Sequence, residues 1–497
     1  MTTKVVAVPV LTDFVKAYDV RGLVPEQLSP DVARALGSAF AEVIAIPDGK
    51  DRVVIGHDMR PSSPDLSSAF ADGVNARGID VTVIGLCSTD GLYYASGALD
   101  LPGAMFTASH NPARYNGIKL CRAAAQPVGQ DTGLPEVRDL AQWLLDGRSG
   151  LPAPRTARGT LEVRDMLADY SAFLRSLVDL SGSRPLKIVV DAANGMSGLT
   201  VPAVLGTAAG LPPLPLEIVP LYFELDGTFP NDEANPLDPK NLVDLQEAVR
   251  VHGADLGLAF DGDADRCFVV DAEGEPVSPS AITGLVAARE ITRAREAGER
   301  DVAIVHNVIS SAAVAEVCRE HHATPVRTRV GHSFIKAEMA RIGAVFGGEH
   351  SAHYYFRDFW FADTGMLAAL HVLAAVGEQD RPLAEIARTY ERYAASGEIN
   401  STVEDQSSIV ERLRAWADVR NAGIDELDGL TVAAPESTGE MWWFNVRASN
   451  TEPLLRLNVE AADRETMGRL RDELLGLIRA DRDPVPASAH PDGGEAP

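Results

Sequence analysis

Residues 103–119 read GAMFTASHNPARYNGIK. The first four residues are a short apolar run of the kind that forms a buried strand. Pro112 then breaks the chain, and Asn116-Gly117 is a strong turn signal. Ser109 therefore stands where a strand ends and a loop begins. A serine in a loop is ordinarily a solvated turn residue, so what recurs elsewhere decides its meaning. Two more runs share the form: DLGLAFDGDAD at 255–265 and GAVFGGEHS at 343–351. Each is an apolar segment that ends in an unusual polar cluster.

Working outward, each of these runs is the third of a set. The first members are RVVIG (52–56), KIVVD (187–191) and VAIVHN (302–307); the second are DVTVIGL (80–86), LEIVPLYF (216–223) and TPVRTRVG (324–331). Segments of helical character lie between them. Strands alternating with helices imply βαβ units and mainly parallel, mixed sheets. In such sheets ligands bind beyond the carboxyl ends of the strands, which is where the three polar clusters fall. The last quarter differs: MWWFNVRA (441–448) and LLRLNVEA (454–461) read as a hairpin around SNTEP, followed by an amphipathic helix at 464–479. The expected organisation is three α/β domains (1–158, 159–275, 276–397), an α+β domain (398–480) and a disordered Pro/Gly/acid-rich tail (481–497).

The chain has 497 residues, too many for one core. Its 45% hydrophobic and 23% charged content is that of a globular protein. A formal charge of −26 argues against nucleic-acid or anionic-membrane partners, so any anion site must be built from a few chosen cations. The four cysteines (Cys87, Cys121, Cys267, Cys318) show no metal or disulfide spacing, which suits a cytoplasmic protein with reduced thiols. The most apolar stretch, MLAALHVLAAV at 366–376, is too short to span a bilayer. Oligomeric state is not legible in the sequence.

In FDGDADR (260–266) the carboxylates of Asp261, Asp263 and Asp265 alternate, and in an extended loop they can converge on one cation. A solvated acidic turn is the plain alternative. A calcium loop of the EF-hand type fails, because its sixth residue would be Arg266 instead of Gly and its twelfth Ala272 instead of Glu. Hard oxygen ligands favour Mg²⁺, which usually keeps a phosphate oxygen in its shell. Ser109 lacks the G-x-S-x-G frame of an acyl-transfer serine, since Thr107 and Asn111 hold the glycine positions. A phosphate on Ser109 would complete the three-aspartate site, with Lys119 and Arg266 as cationic neighbours. The third loop offers Glu349 and Ser351, a carboxylate and a hydroxyl suited to vicinal sugar hydroxyls; His350 and His353 as a zinc pair would lack a third ligand. In RASNTEPLLR (447–456), Arg447, Ser449, Asn450, Thr451 and Arg456 make a phosphate cradle of guanidinium, hydroxyls and turn amides. ELDGT at 224–228 suggests a haloacid-dehalogenase-like phosphatase, but Glu224 would replace the required aspartyl nucleophile.

Together and in this order, the four clusters resemble the α-D-phosphohexomutase family, in particular its phosphomannomutase/phosphoglucomutase members. The resemblance runs from KAYDVRG (16–22) through RASNTEPLLRL and covers nearly the whole chain. It implies four domains around a central cleft, with Ser109 as a phosphoserine and one Mg²⁺ held by Ser109, Asp261, Asp263 and Asp265. It implies that Glu349 and Ser351 select sugar hydroxyls, and that Arg447, Ser449, Asn450 and Thr451 grip the substrate phosphate. Arg21, His110, Lys119 and His332 would line the reaction centre, with Lys119 moving the proton. The implied activity converts mannose 6-phosphate to mannose 1-phosphate through a hexose 1,6-bisphosphate; phosphoglucomutase or dual activity is the alternative. Two departures stand out: Ser88-Thr89-Asp90 where Thr-Pro is usual, and His350 and Ala352 where Met and Gly are commoner in dual-specificity enzymes.

Overall fold

The strand Arg52–His57 has Val53, Val54 and Ile55 all buried, as expected of a parallel strand covered on both faces. Around it the first sheet orders its six strands as Val20–Leu23, Tyr115–Cys121, Gly103–Phe106, Arg52–His57, Asp80–Leu86 and Leu161–Val163. The second sheet runs Pro276–Val277, Cys267–Asp271, Leu256–Phe260, Leu186–Asp191, Leu216–Leu221. The third runs Thr324–Thr328, Ala303–Asn307, Phe346–Gly348, Tyr354–Phe356, Ala362–Asp363. The computed structural model describes residues 9–16, 18–148, 150–151, 157–448 and 454–480. The chain divides into two units, Met1–Glu391, which holds these three sheets, and Arg392–Pro497.

The three sheets share one plan. Each motif strand pairs in parallel with the first strand of its set and antiparallel with the strand that follows its loop. The sheets are mixed as expected, but the antiparallel share is larger than strand–helix alternation alone implies. In the second and third sheets two of the four pairings are antiparallel. The reason is loop length: Tyr115–Cys121, Cys267–Asp271 and Tyr354–Phe356 follow their motif too closely for a crossover helix, so the chain must turn back.

Expected domain edges are crossed by strands. Leu161–Val163 adds in parallel to the first sheet, and Pro276–Val277 pairs with Cys267–Asp271 of the second. Short edge strands carry too little pattern to be assigned from sequence. One apolar cluster runs from Val54 and Met105 through Val189 and Leu258 to Phe346 and the helix Gly365–Gly377, so the three domains of the first unit share a core. That helix is buried along its whole length, and no helix among the described residues is long and apolar enough to cross a membrane. All four cysteines are buried free thiols.

The second unit is a five-stranded antiparallel sheet ordered Ala394–Thr402, Leu454–Ala461, Trp442–Ala448, Leu430–Ala433, Gly423–Asp425. The expected hairpin and the helix Arg464–Ile478 are present, and Leu413, Phe444, Leu457, Leu474 and Ile478 form the core. A domain edge at 397/398 would cut the strand Ala394–Thr402, whose pairing with Leu454–Ala461 puts it wholly in this sheet. The expected tail at 481–497 lies outside the described residues.

Candidate active site

The strand Gly103–Phe106 delivers Ser109 into a constrained turn. Thr107 Oγ1 accepts a hydrogen bond from Ser109 N at 2.9 Å, and Asn111 N donates to Ala108 O at 3.0 Å. Ser109 has φ +49°, the left-handed region that L side chains seldom adopt, at a cost of roughly 1–2 kcal/mol. The aspartate loop abuts it: a Cβ on Gly262 would lie 2.5 Å from Ser109 O, so only glycine allows this approach. Ser109 Oγ thereby donates to Asp261 Oδ2 at 2.7 Å.

The aspartates converge through a turn and not through an extended loop. Ala264 takes φ +60° and its N–H returns to Asp261 O at 3.0 Å. The three buried carboxylates offer one oxygen each within 4.8 Å of one another. Asp261 Oδ2 also accepts from Arg266 Nε at 3.0 Å. Asp263 Oδ2 accepts from Thr89 Oγ1 at 2.6 Å and Lys119 Nζ at 2.7 Å, and Asp265 Oδ2 from Lys119 Nζ at 2.5 Å. Among the described residues, Asp263 Oδ1 and Asp265 Oδ1 are buried with no hydrogen-bond partner. Three buried carboxylates this close together, two of them with an oxygen that makes no hydrogen bond, fit a hard divalent cation, so the triad can bind a metal ion.

Electrostatics separate the groups. Burial pushes the Asp261 carboxyl up to about 7, with Arg266 opposing and Asp265 and Asp263 adding. Burial also acts upward on Asp263, but Lys119 and Thr89 outweigh it and hold that carboxyl below its ordinary value. For Lys119 burial pulls downward, yet Asp263 and Asp265 raise it well above the usual ammonium range. It is therefore held as an ammonium. His110, desolvated and beside Arg266 and Arg21, is held well below the imidazole range. Its Nδ1 accepts from Arg266 Nη2 at 2.6 Å and lies 3.2 Å from Ser109 Oγ. Arg21 donates to Asn111 Oδ1 and to Asp19 Oδ2, each at 2.6 Å, which ties the loop to the strand Val20–Leu23.

The third loop docks beside the aspartates. Arg266 and His353 form an isolated antiparallel bridge, and Cys267 N donates to Ala352 O at 3.4 Å. Glu349 is buried, accepting from Ser351 Oγ at 2.8 Å and Tyr355 Oη at 2.7 Å. His353 Nδ1 lies 3.0 Å from Asp363 Oδ2 and 3.8 Å from Asp265 Oδ1, and Lys336 pairs with Asp363 at 2.6 Å. His350 Nδ1 instead pairs with Ser280 Oγ at 3.1 Å, so the two histidines do not form a metal pair. His332 opens the helix His332–Ile342, with its ring 5.4 Å from that of Tyr18; burial and then Lys336 hold it well below the imidazole range.

The first unit thus brings together Arg21, Ser109, His110, Lys119, the three aspartates and Arg266, with Glu349 and Ser351 on the adjoining loop. In the second unit Arg447 and Arg456 face each other across the hairpin. Glu398 lies 3.4 Å from Arg447 Nη2 and 3.5 Å from Arg456 Nη1. Ser449, Asn450 and Thr451 lie outside the described residues. Glu224 is exposed, and Asp226 only closes a local turn with Thr228, which removes the phosphatase reading of ELDGT.

Sequence reasoning passed over Thr89 and Asp90. Thr89 binds Asp263, and Asp90 accepts from Ser88 Oγ, from Tyr170 Oη at 2.7 Å and from Thr364 Oγ1 at 2.7 Å. The only signal was the departure at 88–90, whose partners lie far along the chain. It also passed over Asp363 and Lys336, where no local motif marks the pair.

Comparison with known proteins places these features in context. Four family models match in order: phosphoglucomutase/phosphomannomutase α/β/α domain I at 13–141, domain II at 168–274, domain III at 279–393 and the C-terminal domain at 398–477. The chain is 39% identical over 467 residues to phosphohexose mutases of Xanthomonas campestris pv. campestris, covering 93% of this chain and 98% of that one. It is 38% identical over 470 residues to a phosphomannomutase of Escherichia coli, with coverage of 93% and 98%. A crystal structure of a phosphoglucomutase/phosphomannomutase family protein from Burkholderia thailandensis superposes with a TM-score of 0.80 at 31% identity, covering 94% and 97% of the two chains.

Proposed function

Because the chain belongs to the phosphoglucomutase/phosphomannomutase family and is a mutase of the isomerase class, we propose that it interconverts mannose 6-phosphate and mannose 1-phosphate through a phosphoserine at 109. One observation carries this reading: Ser109 Oγ sits 2.7 Å from Asp261 at the edge of three buried carboxylates, two of which keep an unpartnered oxygen. A serine aimed at an acidic cation site is poorly placed for acyl chemistry and well placed for phosphoryl transfer. Asp261, Asp263 and Asp265, with a phosphate on Ser109, would hold one Mg²⁺, which when bound supplies positive charge to the transferring phosphoryl group.

In the forward step the free sugar hydroxyl bonds to phosphorus as the phosphorus–Ser109 Oγ bond breaks. The hydroxyl proton leaves, and Oγ regains one. Lys119, held as an ammonium beside Asp263 and Asp265, is the residue we assign to moving this proton; His110 and His332 are held neutral beside it. The product is a hexose 1,6-bisphosphate; after it turns over, its other phosphate returns to Ser109. Arg266 and Arg21 fix the loop and add positive charge beside it. Glu349 and Ser351 meet sugar hydroxyls, while Arg447, Ser449, Asn450, Thr451 and Arg456 hold the phosphate that is not reacting. For Arg447 this means exchanging Glu398 and Asp428 for phosphate, and for Arg456 exchanging Glu398. A cradle that reads only phosphate accepts either end of the bisphosphate.

Sugar phosphate metabolism and an acidic chain with free thiols fit a cytoplasmic location. A dual reading, with glucose phosphates also used, is favoured by the broader description of the Xanthomonas relatives as phosphohexose mutases. The test is twofold. Intact-mass analysis should find a phosphate on Ser109, and kcat/KM should be compared for mannose 1-phosphate and glucose 1-phosphate. Full turnover by Ser109→Ala would refute the phosphoserine route.

A further inference from the structure

Arg60, in GHDMRPSS (56–63), is among the largest side chains with essentially no exposure. Its guanidinium points into the back of the serine loop. Nη1 donates to Pro112 O at 3.0 Å and Tyr115 O at 2.9 Å; Nη2 donates to Ser109 O at 2.9 Å and Asn111 O at 2.6 Å. Four carbonyls of one loop are thus gathered by a single planar fork. The remaining Nε faces Asp58 Oδ2 at 3.2 Å. Asp58 is itself fixed, accepting from Arg60 N at 3.0 Å and Ser63 Oγ at 2.6 Å. Both Nη groups are thus committed to the loop, and Nε, which makes no hydrogen bond, is buried against Asp58.

The other face of the guanidinium is closed by the second domain. Phe229 lies over it, with Arg60 Cζ 5.0 Å from the ring centroid. A Cβ on Gly227 would lie 2.5 Å from Arg60 Cα, so glycine is needed where this segment crosses. This is the ELDGTF stretch, whose phosphatase reading failed. Its residues pack on Arg60 instead.

We propose that Arg60 is the positioning residue for Ser109: by gathering the four loop carbonyls it holds Ser109 in its left-handed conformation with Oγ aimed at the aspartates. The inference rests on Ser109 being the phosphoryl carrier. A strained conformation persists only where the surroundings over-determine it. Here Ser109 O is bonded by Arg60 and faces Gly262, and relaxing φ to negative values would swing that carbonyl away from both. Lysine cannot replace the fork, because an ammonium is a point donor and does not span four carbonyls.

The test uses Arg60→Lys and Phe229→Ala in the full-length protein. It measures circular dichroism, Ser109 phosphate by intact mass, kcat and KM for mannose 1-phosphate, and single-turnover transfer from the phosphorylated serine to mannose 6-phosphate. Misplacing a reacting group by about 1 Å lowers rate on the order of 100-fold, so folded Arg60→Lys should lose about that factor in kcat and in single-turnover rate. KM should stay within about 2- to 3-fold, since Arg60 is not expected to touch substrate. Phe229 is only partly buried, so Phe229→Ala should fold and lose roughly 3- to 10-fold in kcat with KM unchanged. Folded Arg60→Lys with wild-type kcat, or an effect confined to KM, overturns the proposal. If Arg60→Lys does not fold, Phe229→Ala decides, and a wild-type kcat there overturns it as well. Wild-type enzyme without phosphate on Ser109 defeats the functional reading first; phosphorylated wild type beside an indifferent Arg60→Lys defeats this inference alone.

Discussion

Replacing Asp90 with asparagine should stabilise the protein at neutral pH and abolish part of its pH dependence. Asp90 is fully buried where three segments meet: its own helix Thr89–Leu99, the helix Leu167–Leu177 through Tyr170, and Thr364, which caps Gly365–Gly377. Burial pushes its carboxyl up from 3.8 to about 6, although the hydroxyls of Ser88, Thr364 and Tyr170 favour the ionised form. The native state therefore binds a proton more tightly than the unfolded chain, and stability falls as pH rises between those two values. The loss begins near pH 4 and is complete above about pH 7. A shift from 3.8 to about 6 is 2.2 units, or ~3 kcal/mol at 1.36 kcal/mol per unit. Asparagine keeps the shape and carries no charge; its two N–H groups can donate to two of the hydroxyls while its oxygen accepts from the third. Urea unfolding of wild type and Asp90→Asn at pH 5, 6, 7 and 8 would measure the difference. Between pH 5 and pH 8 the variant should gain about 1.4 kcal/mol on wild type, because about 1.6 of the ~3 kcal/mol is already lost by pH 5. A difference that stays constant across this range would refute the reasoning, because no proton would then be linked to folding at this site.

Other tests address the chemistry. Ser109→Ala should lose both the phosphate adduct, read by intact mass, and turnover. Asp263→Asn keeps shape but removes one of three charges and weakens the Lys119 contact, so Mg²⁺ affinity by titration and kcat should both fall, by about 10-fold or more. Chelation of wild type should abolish activity and added Mg²⁺ restore it; full activity in metal-free enzyme would contradict the assignment. Arg447→Ala should lower kcat/KM for mannose and glucose phosphates by similar factors, about 30- to 1,000-fold for a loss of ~2–4 kcal/mol. Glu349→Gln should instead shift the ratio between the two sugars, measured by competition.

Strand and helix identity was legible because it is local. Alternation and apolar runs at 52–56, 187–191 and 302–307 report burial within a few residues of each strand, and the hairpin at 442–461 follows the same logic. The placement of the aspartates, Ser109 and Glu349 in loops after strands was legible because those strands are recognisable. Distance in sequence set the limit. Ser109 meets Asp261 across 152 residues, Thr89 meets Asp263 across 174, and Thr364 meets Asp90 across 274. No periodicity carries such information; it arises when three sheets pack on a shared core. The same packing decides that Lys119 is held as an ammonium, that His350 pairs with Ser280, and that Arg60 serves a loop 49 residues on. Residue type determines which charges and hydroxyls exist. Only tertiary burial, by removing water from around them, determines which proton, which partner and which backbone angle each one keeps.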